Sequence, residues 1–334
     1  MAGADVLSGG EWVGFGVVTG IDFASEVGDE FQVNTYVKGH QQQPSMAGLA
    51  DGGYVIAWQS YNQEEGSINT DGVYAQRYGP SGATLGDEFQ VNTYVSGEQE
   101  NPKVTSLSNG GFFITWQDSS GHDGGSSWDI RGQLYDAAGA TVGSETLVNT
   151  HISNGQTEPD VTSLADGGYV VTWTSQYQDT GGSDYGVYGQ RYNANGTASG
   201  DEFLVNTWTA SNQNYSSVAA LSDGVFVVTW QDNSGHDGGS SWDIRGQRYG
   251  DNGEPSGNEF LANTWTSGNQ YYPSVTGLDY GKFVVTWGDE TTHASRPGDD
   301  KSGWAVEGQV FTTSDAEGDA AVAKSGDQFQ LNTY

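Results

Sequence analysis

A nine-residue phrase recurs six times along this chain and sets the length of its structural unit. The phrase GDEFQVNTY occupies residues 28–36 and returns unchanged at 86–94, and variants of it begin at positions 143, 200, 257 and 326. The steps from one start to the next are 58, 57, 57, 57 and 69 residues. Self-similarity at such a period is typical of repeat architectures, in which each unit buries its apolar face against its neighbours.

Each full unit reads as four short β-patterned runs separated by turn signals. Asp-Gly or Gly-Gly joins the first run to the second, which is a signal for a tight hairpin. No run of ten or more residues keeps a helical period. A Trp ends the second run of each unit, at Trp58, Trp116, Trp173, Trp230 and Trp287. We expect these five side chains to pack between adjacent units.

Four strands per unit predict the blade of a β-propeller, so we expect an all-β fold built as one ring of six blades. The units are placed at approximately 1–36, 37–94, 95–151, 152–208, 209–265 and 266–334. The first unit is degenerate, since LSGGEWVGFG at 7–16 matches LSDGVFVVTW at 221–230 only at Leu, Ser, Gly and Val. Five blades with an extra N-terminal strand pair is the alternative. Six units would form a complete ring that acts as an autonomous module.

The acidity of the chain excludes two classes of partner. Lys and Arg total 11 against 43 Asp and Glu, which gives a net charge of −32. Nucleic acid and anionic membrane surfaces both require a basic footprint, so neither is expected to bind. No apolar run reaches the roughly 18 residues of a membrane span, and the N-terminus carries no Sec-type signal. The absence of Cys excludes disulfides and thiolate metal sites.

The repeat resembles one found in large secreted bacterial proteins, the RTX-type adhesins and haemolysin-type calcium-binding proteins. The matching text is P-x-V-x-x-L-x-D-G-G-[YF]-V-V-T-W, then D-G-x-x-x-[IV]-x-G-Q-R-Y, then G-x-E-F-x-V-N-T, and it covers nearly the whole chain. The resemblance implies an extracellular or cell-surface bacterial protein exported by a type I route. The tandem G-G-x-G-x-D-x-U-x array of the RTX calcium roll is absent from this sequence, so that part of the family is not carried over.

One Gly- and Asp-rich loop is written twice, as QDSSGHDGGSSWDIRGQ at 117–133 and QDNSGHDGGSSWDIRGQ at 231–247. Hard cations take several carboxylate and carbonyl oxygens, and Gly permits a tight wrap, so these loops are candidate calcium sites. The candidate calcium ligands are Asp118, Asp123, Asp129, Asp232, Asp237 and Asp243, with Asp179 and Asp184 in the third full unit. The alternative is a turn in which the Asp side chains accept hydrogen bonds from backbone N–H groups.

The same loop contains candidate sugar-binding residues. Trp128 and Trp242 lie outside the apolar strands, and we expect them to stack on a sugar with His122 and His236 nearby. The alternative is that each Trp folds back on its own loop. The text DGGSSW also resembles the Asp-box of sialidase-type propellers, S-x-D-x-G-x-[ST]-W, although Gly stands in place of the leading Ser. In that family the box is a structural turn, so the resemblance implies a blade and no catalysis.

The sequence contains none of the G-x-S-x-G, H-E-x-x-H or Walker phosphate-loop motifs. The expected function is therefore non-catalytic: an extracellular module for adhesion or carbohydrate binding, stabilised by calcium, whose partner is a glycan or cell-surface polysaccharide. One alternative is a self-assembling structural protein whose partners are copies of itself. The other is a polysaccharide-active propeller enzyme, because a catalytic carboxylate pair cannot be recognised among 43 acidic residues without coordinates.

Overall fold

The computed structural model describes residues 30–64, 70–122, 124–125, 127–179, 185–222, 224–236, 241–290, 304–314 and 321–332. Contacts divide the chain into two compact units, Met1–Val33 and Asn34–Tyr334. All the strands described below belong to the second unit. Within the described ranges, no helix is long and apolar enough to cross a membrane.

The described residues form five antiparallel sheets, each with an inner strand that begins at the Gln of its unit. The inner strands are β1 (Gln41–Gly48), β5 (Gln99–Ser106), β9 (Gln156–Ser163), β13 (Gln213–Ala220) and β17 (Gln270–Gly277). The second strands are β2 (Tyr54–Tyr61), β6 (Phe112–Asp118), β10 (Tyr169–Gln176), β14 (Phe226–Asp232) and β18 (Phe283–Asp289). The third strands are β3 (Asp71–Tyr78), β7 (Asp129–Tyr135), β11 (Tyr185–Tyr192), β15 (Asp243–Tyr249) and β19 (Ala305–Ser314). The outer strands are β4 (Phe89–Gln90), β8 (Thr141–Leu147), β12 (Phe203–Leu204), β16 (Phe260–Leu261), β20 (Ala321–Lys324) and β21 (Phe329–Gln330).

Each sheet is one propeller blade. Its strands pair in chain order from the inner to the outer strand, and the fifth sheet carries both β20 and β21 on β19. The inner strands of successive blades pack on one another in the order β1, β5, β9, β13 and β17. The prediction of an all-β propeller is therefore confirmed. The degenerate first unit lies almost wholly outside the described residues, so the choice between six blades and five stays a prediction.

The recurring phrase links each unit to the next, which gives a physical reason for its repetition. Its Asn supports its own blade, since the Asn92 side-chain oxygen accepts a hydrogen bond from Val73 N–H at 2.8 Å. Its Thr reaches the Glu of the following copy, since the N–H and hydroxyl of Thr93 both donate to Glu145 at 2.6 Å. The same Thr–Glu link joins Thr35 to Glu88, Thr150 to Glu202 and Thr207 to Glu259.

The apolar core lies at the interfaces between blades. The tryptophans that end the second strands are all 3% exposed or less: Trp58, Trp116, Trp173, Trp230 and Trp287. Trp116 of the second blade, for example, belongs to a cluster with Val55 and Val73 of the first. Trp173, Trp230 and Trp287 join clusters with the blades that precede theirs. Truncating a buried ring of this size costs roughly 3–5 kcal/mol, so these interfaces hold the blades in register.

Every inner strand contains a β-bulge two residues after its first Gln. In the first blade the pairing register shifts between Gln42 and Ser45. The bulge residue takes a positive φ, which costs a residue other than Gly roughly 1–2 kcal/mol. The five bulge residues are Gln43 (φ 56°), Asn101 (57°), Glu158 (58°), Tyr215 (53°) and Tyr272 (56°). Bulges change the direction of side chains and are frequent next to functional sites. The surface that the five bulge residues share is therefore a candidate functional site.

Candidate functional site

The five bulge residues surround one cavity. Its volume is about 500 Å³, which lies in the range of small-ligand sites. Within the part of the chain that the structure describes, the lining comes from the inner strands, and it consists of the bulge residues and residues up to two places after them. We call it the central cavity. It is walled by amides, hydroxyls and tyrosine rings, with Lys103, Glu158 and Asp160 as its charged side chains.

Glu158 occupies the bulge of the third blade, and a departure in the second strand of that blade explains its hydrogen bonds. At other blade interfaces, the N–H of the bulge residue donates to a Gln of the preceding blade. Glu158 N–H, for example, donates to Gln117 Oε1 of the second blade at 2.9 Å. The third blade has Thr174 where that Gln is expected. Thr174 and Glu158 together replace that Gln as acceptor: Tyr215 N–H donates to Thr174 Oγ1 at 3.2 Å and to Glu158 Oε2 at 3.1 Å, and the Thr174 hydroxyl donates to Glu158 Oε2 at 2.8 Å.

Asp160 lies two residues further along β9 and connects neighbouring inner strands. The fourth blade has Ser217 at the equivalent position, where its hydroxyl accepts from Val275 N–H at 3.3 Å. Asp160 makes the same link with Oδ2, which accepts from Val218 N–H at 2.9 Å, while its Oδ1 accepts from Val161 N–H at 3.0 Å. Since a Ser is sufficient to make this link, the carboxylate of Asp160 exceeds what the fold requires.

The two carboxyl groups have different electrostatic surroundings. Burial raises the pKa of Glu158, against the opposing effect of hydrogen bonds from Thr174 and Tyr215. Burial also raises the pKa of Asp160, but here the positive charge of Lys103 is the first opposing influence. Asp160 therefore has a cation that favours its charged form, whereas Glu158 is held by neutral donors. Two acids whose environments differ in this way are typical of acid–base sites.

Two tyrosine rings form the rim of the central cavity beside Glu158. The ring centroids of Tyr215 and Tyr272 lie 5.0 Å apart, with their planes at 86°. The rings are 37% and 60% exposed respectively. Burial, followed by the charge of Glu158, raises the pKa of Tyr215, so its hydroxyl stays protonated. The rim thus offers apolar ring surface next to a carboxyl group.

The predicted calcium ligands Asp118 and Asp232 are buried and paired with arginine. Arg131 Nε lies 3.0 Å from Asp118, and Arg245 Nε lies 2.8 Å from Asp232. Asp118 also accepts from the backbone N–H of Ser120 at 2.5 Å, which is the turn geometry expected as the alternative to a metal site. In these two loops a guanidinium therefore provides the positive charge beside the carboxylate.

The predicted calcium ligands Asp129 and Asp243 accept hydrogen bonds from the Asn of the recurring phrase. Asn149 Nδ2 donates to Asp129 at 2.9 Å, and Asn263 Nδ2 donates to Asp243 at 2.7 Å. The first blade has Gly72 at this position, and the buried Glu64 fills the space: a Cβ on Gly72 would lie 2.2 Å from Glu64 Oε1. In the third blade, Asp179 lies in the same way against Gly186. Asp123, Asp184 and Asp237 lie outside the described residues, and calcium in these loops stays a prediction.

The predicted sugar-binding residues of each loop contact different parts of the chain. The His122 ring stacks on Tyr94 with centroids 3.6 Å apart, and the His236 ring stacks on Trp208 at 3.3 Å. Trp128 is partly buried, and its carbonyl oxygen accepts from Gln156 N–H at 2.8 Å. The Trp242 ring lies 6.1 Å from that of Tyr271. Of the four residues, Trp242 is the one that meets another aromatic residue near the central cavity.

One group of three carboxylates among the described residues has spacing suited to a cation. Oxygens of Asp71, Glu98 and Glu100 all lie within 4.8 Å of one another. Asp71 N–H donates to Glu98 Oε2 at 2.7 Å. Burial, followed by the charge of Glu98, raises the pKa of Asp71, and burial raises that of Glu100. These residues could hold a metal ion, and the sequence patterns did not single them out.

The residues around the central cavity were also missed by the sequence analysis. They carry a signal that becomes visible when the units are compared with each other. The Gln that starts each inner strand is constant, but the residue two places later is of four types in the five described blades: Gln43, Asn101, Glu158, Tyr215 and Tyr272. Variation at one position of an otherwise regular repeat marks a residue that the fold does not dictate.

Comparisons with protein-family models and with curated proteins find no match. Solved structures do share the fold. The chain is similar to NanB with Optactamide, with a TM-score of 0.54 and 10% identity over 88% of this chain and 61% of that one. It is similar to the Hadza microbial sialidase Hz136, with a TM-score of 0.52 and 12% identity over 81% of this chain and 56% of that one. It is also similar to an α-L-arabinofuranosidase from Fusarium graminearum, with a TM-score of 0.50 and 13% identity over 76% of this chain and 74% of that one.

These comparisons correct the predicted function class. At such identities they establish the fold alone, but the solved propellers that share it include a sialidase and an arabinofuranosidase. The prediction of a non-catalytic adhesion module, and of a chain that is no enzyme, is therefore wrong on this comparison, and the RTX-like and calcium-binding description finds no support in it. The carboxyl groups of Glu158 and Asp160 lie at a bulge and two residues after it, a placement that no linear motif records.

Proposed function

We propose that this chain is a polysaccharide-active propeller enzyme that hydrolyses glycosidic bonds in the central cavity. The observation that supports it best is the pair Glu158 and Asp160, two half-buried carboxyl groups on one inner strand beside Lys103. A glycan is then the partner, and an extracellular setting, where polysaccharides occur, belongs to the same proposal.

Burial raises the pKa of both acids, and the charge of Lys103 near Asp160 is the difference from which we assign their roles. Glu158, with its raised pKa and neutral neighbours, donates a proton to the oxygen of the leaving sugar as the glycosidic C–O bond breaks. Asp160, with Lys103 favouring its charged form, accepts the proton of the water that attacks the anomeric carbon. Both side chains line the same central cavity, as an acid and a base that act on one glycosidic bond must. A water-activating base gives a product of inverted configuration.

The test uses substitutions that other blades of the chain already accommodate. Gln43 occupies the position of Glu158 in the first blade, and Ser217 occupies that of Asp160 in the fourth. Glu158→Gln and Asp160→Ser therefore remove the chemistry while keeping the hydrogen bonds between blades. We expect each to lower kcat/KM by about 100-fold or more on the glycoside that the wild type hydrolyses, since general acid–base groups typically contribute that much. Their Tm values should stay close to that of the wild type.

The control is Asp201→Asn, which changes an exposed turn carboxylate and should leave both Tm and kcat/KM unchanged. The assay measures reducing ends released from arabinan, xylan and a set of 4-nitrophenyl glycosides. A wild-type chain that binds these glycans and hydrolyses none of them would contradict the proposal. So would full activity in the Glu158→Gln variant.

A further inference from the structure

We infer that a path of five aromatic residues leads from the rim of the central cavity across the fifth blade and binds successive sugars of a polysaccharide chain. The members of this aromatic path are Tyr215, Tyr272, Tyr271, Trp304 and Trp242. The inference rests on the proposed function, because it takes a glycan to be the ligand of the cavity, and it adds the substrate class: an extended chain of several sugars.

The rings follow one another at nearly constant spacing. Tyr215 and Tyr272 have centroids 5.0 Å apart at the cavity rim, and Tyr271 lies 5.9 Å from Tyr272. Beyond Tyr271 the path reaches Trp304 at 6.0 Å, with ring planes only 27° apart, and Trp242 at 6.1 Å. The path thus divides at Tyr271, and a chain whose reacting bond lies at Glu158 can place its neighbouring sugars on Tyr272, on Tyr271 and on one of the two Trp rings.

The path is open to solvent and has polar groups beside it. Tyr272 is 60% exposed and Trp304 is 52% exposed, values that are high for such large apolar side chains. Asn269 lies alongside, where its N–H₂ donates to Glu290 at 2.8 Å and its side-chain oxygen accepts from Trp242 N–H at 3.3 Å. Ring faces for the apolar side of a sugar, with amide and carboxylate groups for its hydroxyls, are the composition of a carbohydrate site.

The equivalent positions in other blades show which of these rings is particular to the fifth blade. Tyr271 occupies a position held by Gln42, Glu100, Thr157 and Asn214 in the other described blades. Trp304 and Trp242 occupy a position that is aromatic in four of the five described blades, with Trp128 and Tyr185 in the second and third and Asp71 in the first. At the interface between the first and second blades, the equivalent surface carries three carboxylates, those of Asp71, Glu98 and Glu100. Tyr271 is therefore the residue that connects this recurring aromatic position to the tyrosines of the cavity rim, since it lies 6.1 Å from Trp242 and 5.9 Å from Tyr272.

Two variants interrupt the path, and a third provides the control. Tyr271→Thr installs the residue that the third blade has at this place, and Trp304→Ala removes an exposed ring. Tyr280→Ala removes a ring that is 91% exposed on the turn between β17 and β18, at the opposite end of the same blade. The substrates are xylohexaose and arabinohexaose, compared with the 4-nitrophenyl monoglycosides of the same sugars.

We expect Tyr271→Thr and Trp304→Ala each to lower kcat/KM on the hydrolysed hexasaccharide by about 3- to 10-fold, the size of one aromatic contact. Activity on the monoglycoside should stay within about twofold, because that substrate does not reach beyond the cavity. The Tyr280→Ala control should match the wild type on both substrates. Unchanged hexasaccharide rates in the two path variants, or equal losses on both substrates, would overturn the inference while leaving the proposed function intact.

A separate measurement keeps the aromatic path testable if the wild type hydrolyses neither substrate. Xylohexaose and arabinohexaose are then titrated against wild type and variants, with tryptophan fluorescence and calorimetry giving the Kd. Binding that weakens about 3- to 10-fold in Tyr271→Thr and Trp304→Ala supports the path even though the proposed hydrolysis has failed. Binding that is equal in all variants, or absent from the wild type, overturns it.

Discussion

A buried guanidinium between two carboxylates occurs twice among the described residues, and replacing one of these arginines tests what stabilises the repeated loops. Arg131 contacts Asp118 through Nε at 3.0 Å and Glu145 through Nη1 at 3.1 Å. All three side chains are 3% exposed or less. Arg245 makes the same contacts in the fourth blade, at 2.8 Å and 2.7 Å. The perturbation is Arg131→Met, which keeps the apolar stem and removes the charge.

The size of the effect follows from the burial of the partners. Removing one member of a buried ion pair costs roughly 3–5 kcal/mol, because it leaves a carboxylate without compensation in a poorly solvated place. The unfolding entropy of a folded protein is about 2.1 cal/mol/K per residue, so this chain of 334 residues has an unfolding entropy of about 0.7 kcal/mol/K. The expected fall in Tm for Arg131→Met is therefore about 4–7 °C. Arg245→Met should lose a similar amount.

The assay is thermal unfolding followed by calorimetry and circular dichroism at pH 7. A triple variant, Arg131→Met with Asp118→Asn and Glu145→Gln, removes the stranded charges and should recover most of the lost Tm. Arg191→Met is the comparison, because the side chain of its partner Asp166 is 58% exposed, so this variant leaves no buried carboxylate uncompensated, although it also loses the hydrogen bond from Arg191 to the Asp251 carbonyl; its Tm should fall less than that of Arg131→Met. A Tm for Arg131→Met within about 1 °C of the wild type would refute the reasoning. So would a triple variant less stable than the single one.

Two further predictions concern strain and charge in the blades. Gly246→Ala should lower the free energy of unfolding by about 1–3 kcal/mol, because the added Cβ would lie 2.5 Å from the Phe260 ring. Gly48→Ala should be nearly neutral, because its Cβ would meet nothing within 4 Å. Denaturant unfolding measures both variants. Asp71→Asn should raise Tm at neutral pH. Burial and the charge of Glu98 raise the pKa of Asp71 in the folded chain. The charged carboxylate therefore destabilises the folded chain at any pH above its folded pKa, and this destabilisation disappears as the pH falls below the pKa that Asp71 has in the unfolded chain. The Tm advantage of Asp71→Asn should therefore shrink on acidification, and an advantage that grows instead would contradict the sign.

The fold could be predicted from the sequence because its determinants are local and repeated. The Gln, Trp and Asn-Thr positions recur at one spacing, and each recurrence corresponds to a contact between neighbouring strands or blades, as with Thr93 and Glu145. The site could not be predicted in the same way, because Glu158 and Asp160 are two among 43 acidic residues. Their relation to the central cavity depends on a bulge and on the residue Thr174 in another strand.

The predicted cation ligands of the repeated loops show a second reason why the sequence alone was insufficient. The segment DIRGQ contains both Asp129 and Arg131, yet only the strand register shows which acid the arginine meets. Asp118 pairs across the sheet with Asp129, and Trp116 pairs with Arg131. This register brings the guanidinium to Asp118, so a loop that looks acidic along the chain is locally balanced in three dimensions.

The chemistry of the central cavity arises where the repeat departs from itself. The backbone bulge is the same in all five described blades, so each blade presents one side chain at the bulge and another two residues later. The pairs, in blade order, are Gln43 with Ser45, Asn101 with Lys103, Glu158 with Asp160, Tyr215 with Ser217 and Tyr272 with Ser274. Among these the third blade alone presents two acids, its predecessor presents the cation, and the two that follow present the rings. The five described blades are therefore regular in their backbone and one-sided in their chemistry, which under the proposed function places the aromatic rings on one side of the two acids.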